Sequence, residues 1–429
     1  MAEPMIGERI RALRKSATYT QDDLAAAAEV SVDVIRKLEQ GRRHTASIGT
    51  LQRIARALDV DVAELLGPSR PTPATGEDQA RVGAIRAALT SIDDLLGELD
   101  GADAPDLTEF SRAVTYAWGV YWAGRHGPLA AMLPRLLTEA AAATHGAAAS
   151  GAGRAADLAA QVHQITTGTL LGLGTPDLGY VAAREAVRLA ALTSDPLRAS
   201  AARNTLSHVL IRQGRLVDAE RVCVATAEDL QPKGDASTAH LSVYGGVLLR
   251  GATAAARQGR AGAATELLSE AAAVAQRTGV DRTDYDLVFG PSNVVMQSAD
   301  CAVVAEDYVA AAEVARTMPR DSALPLVSRC RHLADIAHAQ LRLGHDQAAE
   351  STLLTMERAA PEWTAHHQLP RVLVGELLTR GRPSVRLREL AHRLNAPRAP
   401  LPSRTASSIG SPPSVGQAAR PGGGRYGRW

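Results

Sequence analysis

Residues 20–43, TQDDLAAAAEVSVDVIRKLEQGRR, decide how the first part of this chain folds. Leu24, Ala25 and Ala28 recur at helical spacing, as do Val34, Ile35 and Leu38, with Glu29 and Val30 between the two runs. Thr20 can offer its side-chain oxygen to free amides at a helix start, and Asp22 and Asp23 follow where the helix dipole favours negative charge. Ser31 is placed to cap the second run, and Gly41, tolerant of positive φ, to end it. The stretch predicts two short helices joined by a tight turn near Glu29–Val30.

Reading outward, Ile6, Ile10 and Leu13 predict a preceding amphipathic helix over Ile6–Ser16. Leu51, Ile54, Ala55 and Leu58 predict another over Thr50–Leu58, and a last short one spans about Asp61–Leu66 before Gly67–Pro68. Residues 1–67 thus read as a complete five-helix bundle containing a helix-turn-helix, whose second helix fits the major groove of DNA. GERIRALRKSATYTQDDLAAAAEVSVDVIRKLEQGRR, followed by TLQRIARALDVDVAELL, resembles the Cro/CI (XRE) family of bacterial and phage repressors. Arg14, Thr20-Gln21, Leu24-Ala25, Val30-Ser31, Leu38-Glu39, Gly41 and Leu51…Ile54-Ala55…Leu58 carry the match; Glu29 departs from it where the family often has Gly. A non-Gly residue there is strained if the turn needs positive φ.

The resemblance implies double-stranded DNA as partner. By it, Thr20 and Gln21 open the second helix beside a phosphate, which Gln21 would hydrogen-bond. Ser31, Val32, Asp33, Arg36 and Lys37 would face base edges or nearby phosphates, and Arg42 and Arg43 would clamp the backbone. Arg36 or Lys37 could read guanine, Asp33 a cytosine amino group and Val32 a thymine methyl; Asp33 could equally serve the helix dipole. Arg14 and Glu39 match the family's internal ion pair and are read as scaffold.

The chain has 429 residues, more than one compact domain usually holds. Apolar residues make up 45% and aromatics only 3%, so the core must be built of Ala, Leu and Val, which points to an all-α fold. A net charge of +1 makes no overall electrostatic case for nucleic acid, so any such case is local. Three scattered cysteines argue against a disulfide framework or a zinc site. With no long apolar run and no signal-peptide pattern, a cytoplasmic protein without membrane association is expected. No catalytic motif and no cofactor or metal signature is found, so an enzyme is not expected.

Residues 68–79, PSRPTPATGEDQ, read as a linker, and Arg81–Leu99 resumes a helical pattern. Beyond Asp106, apolar helices are punctuated near Gly124–Gly127, Gly174–Pro176, Gly214-Arg215, Gly259-Arg260, Glu306-Asp307 and Gly344-His345. This loose repeat resembles tetratricopeptide hairpins and predicts an α-solenoid over residues 80–395. Asn204, His208, Arg212, Asn293, Gln297 and Arg329 are candidates for its concave groove, or for plain interhelix bonding. Trp118, Tyr121 and Trp122 read as local core before ligand platform, and His366-His367 as chance. Residues 396–429, rich in Pro, Ser, Gly and Arg, read as a disordered basic tail.

Together these features predict a sequence-specific transcription regulator. One recognition helix covers few base pairs, so a homodimer on paired half-sites is expected. The repeat domain would dimerise, sense a peptide or small-molecule effector, or both. A DNA-tethered scaffold or an antitoxin-like partner-binding protein remains the alternative.

Overall fold

The computed structural model describes residues 6–17, 19–41, 48–58, 60, 65, 76–93, 96, 105–146, 151–380 and 383–396. In the first bundle α1 is Ile6–Ser16, α2 Gln21–Ala27, α3 Val32–Glu39 and α4 Ile48–Ala57, the last beginning two residues before the expected start. Thr20 caps α2 reciprocally: its Oγ1 accepts from the Asp23 amide at 3.1 Å, and its own amide donates to Asp23 Oδ2 at 2.9 Å. Glu29 does take positive φ, 53°, and Gly41 follows α3 at 66°. Ser31 occupies the cap position of α3, but its hydroxyl makes no cap bond, contrary to expectation. Ile10, Leu24, Ala25, Ile35, Leu38 and Ile54 close the core, joined by Leu65. The rest of the expected fifth helix, the linker up to residue 75, and the tail from residue 397 lie outside the described residues.

The closest approach in this bundle is at Gly7. A β-carbon there would stand 1.9 Å from the carbonyl oxygen of Leu38 at the end of α3, so only glycine lets α1 lie this near.

Helix α5, Gly76–Leu89, starts inside the stretch read as linker and stops well short of Leu99. The Thr90 hydroxyl turns back onto the Arg86 carbonyl, and Ile92 and Leu96 are 55% and 63% exposed. Antiparallel hairpins follow: α6 (Leu107–Trp122) with α7 (His126–Gly146), α8 (Ala152–Gly172) with α9 (Pro176–Ala190), and α10 (Pro196–Arg212) with α11 (Leu216–Leu230). Next come α12 (Thr238–Arg257) with α13 (Ala261–Thr278), α14 (Pro291–Val304) with α15 (Tyr308–Arg316), and α16 (Leu326–Arg342) with α17 (Asp346–Ala359). Short α18 (Pro361–His366), α19 (Gln368–Thr379) and α20 (Val385–Arg393) complete the stack.

The first helix of each hairpin also packs on the first helix of the next, from α6 through α16 to α19, which makes these the inner layer of a solenoid. All six expected turns carry a left-handed residue: Gly124, Gly174, Gly214, Gly259, Glu306 and Gly344. Among them Glu306 is the non-glycine, and its Oε1 accepts a 3.2 Å bond from the Thr50 hydroxyl of α4, a contact between the first bundle and the solenoid.

A two-stranded hairpin, β1 (Arg282–Asp284) and β2 (Leu287–Phe289), interrupts the helices and was not expected in an all-α chain. Tyr285 and Asp286 both take positive φ, the pairing that suits a two-residue hairpin turn. The buried Phe289 ring lies on α12 where Gly245 has no side chain; a β-carbon there would meet the ring at 2.0 Å.

The solenoid curls until its ends meet. The Gly127 amide donates to Glu362 Oε2 at 3.1 Å, and Trp363 packs against Gly124. The His126 ring lies 5.5 Å from that of His366 and 6.1 Å from that of His367, and His366 Nε2 stands 3.5 Å from Asp78 Oδ2 of α5. No helix among the described residues is long and apolar enough to cross a membrane.

Closure buries imidazoles. Burial pushes His126, His163, His332 and His338 down to about 4, and His208 and His367 well below the usual histidine value.

Two expectations follow for stability. Gly7→Ala would normally favour a helix, but here it should cost about 1–3 kcal/mol by forcing α1 off α3, read as a lower midpoint in chemical denaturation. The buried histidines stay neutral in the fold but take up protons when unfolded below about pH 6.5. Their contribution is therefore complete above that pH and is lost as pH falls toward 4. Asp335 and Asp286, raised by burial, act in the opposite sense but are outnumbered. Calorimetry near pH 5.5 in buffers of different ionisation enthalpy should show net proton uptake on unfolding.

Candidate nucleic-acid interface

Three helices of the first bundle are joined by one carboxylate. Glu39, at the end of α3, accepts from Arg14 Nε of α1 at 2.6 Å and from Arg14 Nη2 at 2.8 Å. Its Oε2 also accepts from Gln21 Nε2 of α2 at 2.8 Å, while Arg14 Nη1 donates to the Tyr19 carbonyl at 2.8 Å. The side chains of Arg14 and Glu39 are only 11% and 3% exposed. Burial alone would raise the Glu39 pKa; the Arg14 and Gln21 hydrogen bonds outweigh it and hold the carboxyl below its usual range. The expected internal pair is thus present, and it fixes the angle at which α3 leaves the core.

Gln21, expected on a phosphate, spends one amide N–H on Glu39 and keeps the second for an outside acceptor. The Thr20 hydroxyl donates to Asp23 Oδ2 at 2.6 Å, so Thr20 serves the cap. On α3, Lys37 Nζ lies 2.6 Å from Asp33 Oδ2 one turn earlier, and both side chains are more than half exposed. An exposed pair of this kind is worth about 0–1 kcal/mol, so an approaching phosphate can take Lys37 from it. Val32 is half-buried against the core edge. Ser31 and Arg36 are exposed and carry no side-chain partner, which leaves the Arg36 guanidinium with its donor fork open to a guanine edge or phosphate. Arg42 and Arg43 lie outside the described residues.

The groove candidates divide. His208 and Arg212 on α10 front the ring interior. Asn293 donates to the Val288 carbonyl and Gln297 to Thr253, so both hold neighbouring elements together. Arg329 is exposed, whereas Arg331, two residues on, bonds Asp300 of α14. Arg250 and Arg257 of α12 were not singled out from the sequence. Their signal was available: they are the arginines of a helix that has no Asp, Glu or Lys and whose second half is otherwise almost wholly Ala, Gly, Leu and Val. Trp118, Tyr121 and Trp122 pack as a local aromatic group, the two indoles stacked at 5.9 Å.

The family model described as helix-turn-helix matches residues 10–65. The HTH-type transcriptional regulator SinR of Bacillus subtilis is 33% identical over 88 residues, covering 20% of this chain and 79% of that protein. The uncharacterized HTH-type transcriptional regulator YazB of the same organism is 38% identical over 64 residues, 15% of this chain and 91% of that one. A structure of Bacillus thuringiensis PlcR with the peptide PapR7 and DNA covers 73% of this chain and 94% of its own, at 12% identity and a TM-score of 0.31. Apo ComR of Streptococcus vestibularis covers 77% and 97%, at 15% identity and a TM-score of 0.28. Superpositions this loose carry no argument about the ring.

Glu39→Ala should leave the Arg14 guanidinium buried without its partner and cost about 3 kcal/mol. Gln21→Ala removes one neutral donor and should cost about 1 kcal/mol. Denaturation midpoints of the two variants would test that order.

Proposed function

Because this chain belongs to the helix-turn-helix transcriptional regulators, we propose that it reads DNA as a homodimer through α3 and answers to an effector held by its repeat ring. The observation that carries the reading is Arg36. It is a cation on the exposed face of α3 with no partner among the described residues, on a helix whose angle is set by the Arg14–Gln21–Glu39 junction. Arg36 would read a base edge, Lys37 would exchange Asp33 for a phosphate, and Gln21 would offer its remaining N–H to the backbone. Contacts of the second kind position the protein, while those of the first specify sequence.

One such helix spans too few base pairs for useful specificity, which supports two copies on half-sites about one helical turn apart. The effector role is supported by polar and charged residues that face inward from the ring. It is also supported by the Thr50–Glu306 bond, through which a change in hairpin stacking would reach α4. An effector shifts DNA affinity only if it prefers one of two arrangements of the dimer.

Selection of the full-length protein on a randomised duplex pool should enrich paired half-sites. Arg36→Ala should cost about 1–3 kcal/mol and relax preference at one base pair. Lys37→Ala should instead weaken all sequences alike and lower the salt slope by about one. A wild-type protein that enriches no sequence at moderate salt would overturn the reading.

A further inference from the structure

The inner layer of the ring gathers more positive charge than it neutralises. Arg212 of α10, Arg250 and Arg257 of α12 and Arg331 of α16 lie close enough to feel one another's charge. Asp300 of α14 serves two of them: Arg257 grips it with two bonds of 3.0 Å, and Arg331 Nη2 reaches Oδ1 at 3.3 Å. Two guanidiniums on one carboxylate leave that carboxylate firmly ionised, despite burial.

Arg212 and Arg250 have no such partner. The Arg250 Nε is enclosed and donates to nothing, and burial followed by the charge of Arg331 lowers Arg250 to about 10, still cationic at neutral pH. Cys223 and Tyr121, which would offset its charge if ionised, are both neutral there, and Arg257 adds a further repulsion. A further acid, Asp335 of α16, is pushed up to about 7 by burial and by Asp300, and its Oδ2 is unbonded. His208 and His367 are held neutral. The cluster therefore carries a surplus of two to three positive charges inside the protein. A buried charge without a counter-charge is strongly unfavourable and is normally paired. Yet Arg212 is exposed and Arg250 half-buried, so neither sits in close-packed core. Both belong to inner helices of a solenoid whose ends meet.

We propose that the ring interior is a binding site for a small organic polyanion, whose phosphate or carboxylate oxygens take the free N–H groups of Arg212 and Arg250. Guanidinium forks match both oxyanions in bidentate geometry, and the enclosed setting strengthens each charged bond. Neutral His208 and His367 add hydrogen-bonding capacity without adding repulsion. The inference deepens the effector reading by naming the ligand chemistry, and the two can fail separately.

Full-length protein would be titrated calorimetrically with inorganic pyrophosphate and with citrate at constant ionic strength, with sorbitol as neutral control, and melted in each. Saturable binding to at least one anion is expected, with Tm raised by about 2 °C at tenfold excess over Kd and no response to sorbitol. Pyrophosphate alone would point to phosphate as the source, citrate alone to carboxylate. Arg250→Met and Arg212→Gln should each weaken binding tenfold or more, while Arg329→Gln should leave it unchanged. Without anion, Arg250→Met should melt no lower than wild type, since it removes a repelled charge. If it fails to fold, the accessible Arg212→Gln variant decides. Absence of saturable binding, or equal binding by wild type and both interior variants, would overturn the site. Anion binding that leaves operator affinity unmoved would keep the site and sink the effector reading.

Discussion

The amide of Gly127 and the carboxylate of Glu362 meet across 235 residues of chain, and most of the larger domain follows from that meeting. Stacked hairpins contact only their neighbours, so a solenoid is ordinarily an open, quasi-one-dimensional object with a solvated groove. Here the first and last turns touch, through α18 on α7 and the His126, His366 and His367 rings. Closure turns the groove into an interior. Residues on the inner helices that would titrate normally in a groove become desolvated, which depresses the histidines and raises Asp335.

The two halves of the chain handle buried charge in opposite ways. In the DNA-reading bundle, the buried guanidinium of Arg14 is well partnered: it donates to both oxygens of Glu39 and to the Tyr19 carbonyl. That economy leaves the exposed Arg36 as the uncommitted cation of α3. In the ring, Asp300 takes two of four neighbouring arginines, Arg257 and Arg331, and among the described residues leaves Arg212 and Arg250 without a carboxylate partner. Stability alone would favour replacing Arg212 and Arg250 with apolar residues of similar volume. Their presence is better understood as a feature of recognition than of folding.

What could be read from the residues was whatever acts over a few positions. The bounds of α1, the Thr20 cap, the left-handed Glu29 and Gly41, and all six hairpin turns are local consequences of side-chain size and backbone sterics. The partners of Arg14 and Glu39 came from family resemblance. Features set by distant chain were not legible. Gly7 looks like any helix-start glycine until α3 is laid against it, and α5 stops short of Ile92 and Leu96, which are exposed. His366 and His367 seemed accidental because their partner, His126, is far away in sequence. Tyr285 and Asp286 form a turn normally signalled by Asn-Gly, so the small β-hairpin left little trace. Which of the candidates on α2 and α3 are already engaged depends on Glu39 and Asp33, through Gln21 and Lys37.

The seam between α7 and α18 also sets a clock. It is a slight contact beside the long hairpin-to-hairpin interfaces, so among the ways this domain can breathe it is the one that unfolds no helix. An anion held as proposed would leave more readily with the seam parted than with it closed, so its dwell time would follow the protein's own fluctuation as well as the contacts it makes. A regulator built this way would keep a short record of what it last held, after the surrounding concentration has changed.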